Sequence, residues 1–183
     1  HIERPVYFCR RTDQRADELR VGSQTYCKQR SWAKRRRMMY LLEQNGKRYL
    51  CKRYSTFDLH EGRSPDQEAR ILQAFADCPE VLQPVVHDKR RIVLPFFDGR
   101  PLEVSDEQPL DAVQLTDAMR MRVVAAVSNL LGCYLERRDA LFEQLADVIP
   151  EIYREEVRNG TRLRIDLSPS NILVADSGDV AFV

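Results

Sequence analysis

Polar and apolar residues alternate through the first third of the chain and recur at helical spacing in the second half. From Leu19 to Tyr54 the text is strand-like. Its clearest part is Met38–Gln44, then Asn45-Gly46, then Lys47–Tyr54. Asn-Gly between two apolar runs predicts a tight hairpin, because both central residues of a type I′ turn need positive φ. On the second strand, period-2 alternation puts Leu50, Lys52 and Tyr54 on one face, so Lys52 is a cation on an otherwise apolar stripe.

After a polar connection over residues 55–63, Ser64-Pro65-Asp66-Gln67 predicts a helix start. Ser64 suits the N-cap, Pro65 the first helical position, and Gln67 closes a capping box. Ala69, Leu72, Phe75 and Ala76 form the buried stripe, with Glu68 in the first turn. Two apolar runs, Val81–His87 and Arg91–Phe97, flank Asp88-Lys89-Arg90 and read as a second hairpin. Phe97-Asp98-Gly99-Arg100-Pro101 then breaks the periodicity and marks a boundary. Beyond it, Leu115–Leu135 and Phe142–Val157 carry helical stripes, the second interrupted at Pro150, with Asn159-Gly160 as a stop. Asn171–Val174 and Val180–Val183 flank a turn at Asp176–Asp179. The fold class expected is α+β: an arm over residues 1–18, a small lobe with a five-stranded antiparallel sheet and one helix over 19–97, and a partial, largely helical lobe over 98–183.

At 183 residues the chain has room for one domain or two small lobes. Its 43% hydrophobic and 31% charged residues are ordinary globular values, and no stretch nears the roughly 18 apolar residues of a membrane span. With no secretory apolar run at the start, a cytoplasmic location is the expectation. The net charge of +1 hides a division: 15 of the 29 basic but only 5 of the 28 acidic residues lie before Ser55. A basic third is followed by an acidic remainder. The five cysteines are odd in number and scattered, without metal-ligand spacing, so reduced thiols are expected.

The most informative text is Arg164-Ile165-Asp166-Leu167-Ser168-Pro169-Ser170-Asn171-Ile172-Leu173-Val174. It resembles the catalytic loop of the protein-kinase-like superfamily, in which an Asp is followed five positions later by Asn and then by an apolar strand. The resemblance implies a bilobal fold and an ATP- and Mg²⁺-dependent phosphotransferase. Asp166 would accept or orient the proton of an acceptor hydroxyl, and Asn171 would turn its amide oxygen to Mg²⁺. The order of elements before Phe97 is similar to a kinase small lobe. Tyr49-Leu50-Cys51-Lys52 resembles the strand whose Lys contacts the nucleotide phosphates, and Glu68 would hold that Lys. Pro95–Gly99, with Phe96, Phe97 and Asp98, would be the hinge beside an adenine ring. Asp-Leu-Ser-Pro-Ser-Asn is similar to the loops of bacterial lipopolysaccharide-sugar kinases and aminoglycoside-type phosphotransferases, which implies a sugar, lipid or small-molecule acceptor ahead of a protein.

The departures bear on activity. Val21–Tyr26, with Gly22 and Ser23, stands where a glycine-rich phosphate loop is expected and offers one glycine. Arg164 and Ile165 replace the usual residues before Asp166, and the sequence stops at Val183, where the family carries a second metal-binding Asp. An inactive kinase-like binding module is therefore the alternative. The run Lys28–Arg37 places six positive charges around Trp32. A solvated loop, an anionic substrate, and an anionic membrane surface that would make the protein peripheral are the readings open for it, together with a basic adaptor; nucleic acid ranks last.

Overall fold

The structure, a computed structural model, describes residues 17–34, 37–60, 63–103, 114–147, 149, 151, 154–159 and 167–183. They form two compact units, one over residues up to 66 and 85–96, the other over 67–84 and from 97 onward.

The first unit holds a six-stranded antiparallel sheet: β1 (Glu18–Val21), β2 (Gln24–Lys34), β3 (Arg37–Gln44), β4 (Lys47–Arg53), β5 (Val86–His87) and β6 (Arg91–Pro95), in the order β1-β2-β3-β4-β6-β5. The expected count was five. The extra strand arises because Gly22, at φ +58°, turns the chain and lets Val21 pair with Gln24. Asn45 and Gly46 take φ +53° and +72° and close the β3–β4 hairpin, with Gln44 opposite Lys47.

Alternation sorts this sheet into two faces. One carries a core of Leu19, Val21, Tyr26, Tyr40, Leu42, Cys51 and Val93. Burial there pushes the Tyr26 phenol up to about 12, with Tyr49 and Cys51 adding to the effect. The other face carries Met39, Lys52, Ile92 and Leu94, all buried. The polar connection after β4 contains the short helix α1 (Thr56–His60). Ser55 and Asp58 cap it reciprocally: the Asp58 N–H donates to Ser55 Oγ (3.1 Å), and Asp58 Oδ2 accepts from the Ser55 N–H (3.1 Å) and hydroxyl (2.7 Å).

Helix α2 (Pro65–Ala74) starts at the predicted proline and continues into the second unit. There it supplies Ala69, Ile71, Leu72 and Ala74 to the buried set, followed by Phe75 and Cys78. Val81, expected in a strand beside Val86, instead bridges Phe182 in parallel, and Pro84 separates it from the two-residue β5. Helix α3 (Asp117–Glu136) opens at Thr116, whose hydroxyl accepts from the Met119 N–H, and buries Ala126, Leu130 and Tyr134 at helical spacing. Helix α4 (Arg138–Leu145) buries Leu141, Phe142 and Leu145; a short α5 (Arg154–Arg158) follows. Pro150 and Gly160 lie outside the described residues. A three-stranded antiparallel sheet of β7 (Arg100–Pro101), β8 (Ile172–Val174) and β9 (Val180–Phe182) completes the unit. Arg70 ties α2 to the end of α4 through paired bonds to Asp147 (2.5 and 2.7 Å) and one to the Gln144 carbonyl (3.1 Å). No helix among the described residues is long and apolar enough to cross a membrane.

Candidate functional site

Lys52 lies on β4, an interior strand, opposite Met39 on β3 and Ile92 on β6; Met39 in turn faces Trp32 on β2. A single cross-sheet row therefore reads Trp32, Met39, Lys52, Ile92. At 8% exposure Lys52 is buried, and an ammonium group is costly to take out of water. Leu50, two residues earlier on the same face, is half-buried. The first unit thus presents a cation set among apolar side chains on a rigid strand, as the alternation predicted.

Glu68, the expected partner of Lys52, is half-buried on α2 and belongs to the second unit.

The hairpin hydrogen-bonded to the Lys52 strand is β2–β3, whose last described pair is Lys34 opposite Arg37. Gly22 and Ser23 instead form the turn between β1 and β2, at the sheet edge. A Cβ on Gly22 would lie 3.0 Å from Val86 Cγ2 and 3.6 Å from the His87 carbonyl oxygen, so tight packing against β5 accounts for that glycine. Period and composition gave no means of deciding which turn stands next to the lysine strand; the pairing order does.

Of three further residues, the sequence marked Arg37 only as part of the basic run and Tyr54 only as a position on the Lys52 face, and Asp58 was missed. Arg37 directs Nε towards Asp58 Oδ1 at 3.7 Å, and its guanidinium lies 4.1 Å from the Tyr54 ring centroid. Asp58 is buried and Tyr54 is 3% exposed. The signal that could have found Asp58 is Ser-x-x-Asp, a capping-box spacing, immediately after the lysine strand.

The expected hinge falls where the units divide. In the first unit, the Phe96 N–H donates to the Arg48 carbonyl (3.0 Å) and the Arg48 guanidinium covers its ring at 4.5 Å. In the second, the Gly99 N–H donates to the Phe97 carbonyl (3.0 Å), closing a tight turn around the exposed Asp98. A Cβ on Gly99 would stand 2.5 Å from Phe97 Cε1 and 2.9 Å from the Val174 carbonyl carbon, so only glycine fits there.

In the loop of the second unit, Pro169–Asn171 form one 3₁₀ turn running into β8. The Asn171 N–H donates to the Ser168 carbonyl (2.8 Å) and its own carbonyl accepts from the Val183 N–H (3.1 Å). Leu102 N–H reaches the carbonyls of Pro169 (3.2 Å) and Ile172 (3.1 Å). The backbone that carries the Asn171 amide is thereby pinned on both sides. Arg164, Ile165 and Asp166 lie outside the described residues. Among the described residues no group of three or more His, Cys, Asp or Glu side chains could hold a metal. Asn171 provides one neutral oxygen donor on a fixed backbone, which fits Mg²⁺, an ion usually bound by one or two protein ligands plus phosphate oxygens and water.

No family model matches the chain and no curated protein matches it in sequence. Among solved structures it is similar to the Rio2 kinase of Chaetomium thermophilum, with 14% identity, a TM-score of 0.48, and coverage of 93% of this chain and 49% of that one. It is similar to the macrolide 2′-phosphotransferase MphH of Brachybacterium faecium, with 17% identity, a TM-score of 0.47, and coverage of 89% and 68%. A third is the Plasmodium vivax ethanolamine kinase, with 13% identity, a TM-score of 0.45, and coverage of 86% and 55%. The chain spans about half to two thirds of the length of these structures.

Proposed function

We propose that the protein is a kinase-like phosphotransferase that moves the γ-phosphoryl group of ATP to a hydroxyl of a sugar, lipid or other small molecule. The observation that carries this reading is Lys52: a buried ammonium on an interior strand of an antiparallel sheet, in a sequence whose later loop reads Asp166-Leu-Ser-Pro-Ser-Asn171. Lys52 contacts the nucleotide phosphates. Phe96, Phe97 and Asp98 stand by the base. Gly22 and Ser23, expected at the phosphates, form the turn between β1 and β2. Asp166 accepts the hydroxyl proton as the acceptor oxygen bonds to the γ-phosphorus and the bond to the β-phosphate oxygen breaks, with ADP leaving. Asn171 would hold Mg²⁺, which, when bound, offsets charge on the phosphate oxygens.

A second reading, a nucleotide-binding module without transfer, is favoured by the sequence Lys34-Arg35-Arg36-Arg37, which includes no glycine, and by Arg164 and Ile165.

Thermal denaturation with and without MgATP tests the proposal. Ligand at 100 times its Kd stabilises by about 2.7 kcal/mol, which for a chain of this size raises Tm by roughly 5–10 °C. The shift should vanish in Lys52→Ala, and in Asn171→Ala it should lose its Mg²⁺ dependence. Absence of any nucleotide-dependent shift in the intact chain would sink the enzyme reading. A shift without phosphate transfer to any hydroxyl acceptor would select the binding module.

A further inference from the structure

Helix α3 brings one cysteine to another just beyond the end of α2. Ala126 and Leu130 mark the buried face of α3, and Cys133 follows them at the helical period, half-buried at the edge of that face. Cys78 lies four residues past α2 and is buried. Its backbone is fixed on both sides: the Cys78 N–H donates to the Phe75 carbonyl and its own carbonyl accepts from the Val81 N–H, both at 3.0 Å. The thiols of Cys78 and Cys133 share a hydrogen bond. A second tie runs beside it, because Arg137, one turn on from Cys133, donates through Nη1 to Oδ2 of Asp77 at 2.7 Å. Both ties lie within the second unit.

The two thiols differ in access. Burial, and then the bond to Cys133, keep the proton on Cys78; Glu80 adds to this and Arg137 acts against it. Cys78 on its own is therefore inert towards a reagent in solution. Cys133 is the sulfur that such a reagent reaches. Once Cys133 carries a mixed disulfide, Cys78 is the thiol beside it, and contact of this kind turns a bimolecular step into one within the chain. The remaining described cysteines, exposed Cys27 and buried Cys51, lie in the first unit, opposite Glu43 and Tyr40.

We propose that Cys78 and Cys133 form a redox-sensitive staple of the second unit, closed by a small-molecule disulfide of the glutathione type. The Cys133 thiolate attacks one sulfur of the oxidant and expels a glutathione thiolate, which takes up the proton that Cys133 lost. The Cys78 thiolate then attacks the Cys133 sulfur, and the second glutathione leaves with the Cys78 proton. Two protein thiols are oxidised, and one glutathione disulfide is reduced to two thiols.

The test uses the full chain with Cys27→Ser, which removes an exposed competitor, incubated with glutathione disulfide and followed by intact mass, peptide mapping and thermal denaturation. The mass should fall by two hydrogens, the bond should map to Cys78 and Cys133, and closing a loop of about 55 residues should raise Tm by roughly 5–15 °C. Dithiothreitol should reverse all three. In the same background Cys78→Ser should stop at a stable glutathione adduct on Cys133, and Cys133→Ser should take no adduct at Cys78 while folded. If Cys78→Ser fails to fold, Cys133→Ser and the mapped bond carry the test. Two thiols packed only as small apolar side chains would stay free in the chain that has both, or leave Cys133 as an unresolved adduct, and either result would overturn the staple. A bond mapped to Cys9 or Cys51, or a Cys78–Cys133 bond that leaves Tm unchanged or lower, would overturn it too.

Discussion

Gly22 and Gly46 both occupy hairpin turns at positive φ, and replacing each by alanine separates backbone strain from packing. Gly46, at φ +72°, has nothing within 4 Å of its would-be Cβ. Gly46→Ala therefore costs only the left-handed penalty, about 1 kcal/mol. Gly22, at φ +58°, incurs the same penalty, and its Cβ would also stand 3.0 Å from Val86 Cγ2. Valine is stiff at χ1, so relief requires movement of the β5 backbone, and overpacking of this kind adds about 1–2 kcal/mol. Gly22→Ala should thus lose about 2–3 kcal/mol. With a urea m-value of about 2 kcal/mol/M, the midpoint should fall by about 0.5 M for Gly46→Ala and about 1–1.5 M for Gly22→Ala, at unchanged m. Equal midpoints for the two variants would refute the packing account of Gly22 and return that turn to the phosphates. The same pair tested for MgATP binding should show affinities within twofold of the wild type once folded.

Phe182 is 1% exposed, and its strand pairs with β8 on one side and on the other with residues 80–82, the Phe182 N–H donating to the Glu80 carbonyl and its own carbonyl accepting from the Leu82 N–H. Phe182→Ala should cost about 3–5 kcal/mol in urea unfolding, and a loss below 1 kcal/mol would mean this core is not packed as described. The Cys78 thiol is pushed from 9.0 to about 12, first by burial and then by the neighbouring Cys133. The neutral form is thus favoured in the fold. The stability this group contributes is fully present below pH 9 and is lost as pH rises towards 12. Tm measured from pH 8 to 11 should fall, less steeply in Cys78→Ala; an identical slope in both would remove Cys78 as a cause.

The sequence alone determined what depends on neighbours a few residues apart. Asn45-Gly46 fixed a hairpin because two consecutive positive-φ positions admit few residue pairs, and its register then followed without further information. Pro65 marked the start of α2, and the helical period over Leu115–Leu135 marked α3. Lys52 was legible as a cation on an apolar face because strand alternation is a local rule. The Asn171 loop was legible as a motif, although Asp166 lies outside the described residues and its placement rests on sequence alone.

Tertiary structure decided the rest, because strand order depends on pairings between distant segments that local period does not encode. The order β1-β2-β3-β4-β6-β5 makes β2–β3, which ends at the pair Lys34 and Arg37, the hairpin next to the Lys52 strand, and not the one that Gly22 turns. It also turned a run of charges into a geometry: read linearly, Lys34 and Arg37 are members of a basic stretch, whereas in the sheet they oppose each other on the face that carries Lys52. Asp58 shows the same limit. Its spacing from Ser55 indicates a cap, but its burial and its hold on Arg37 exist only once β3 lies beside β4.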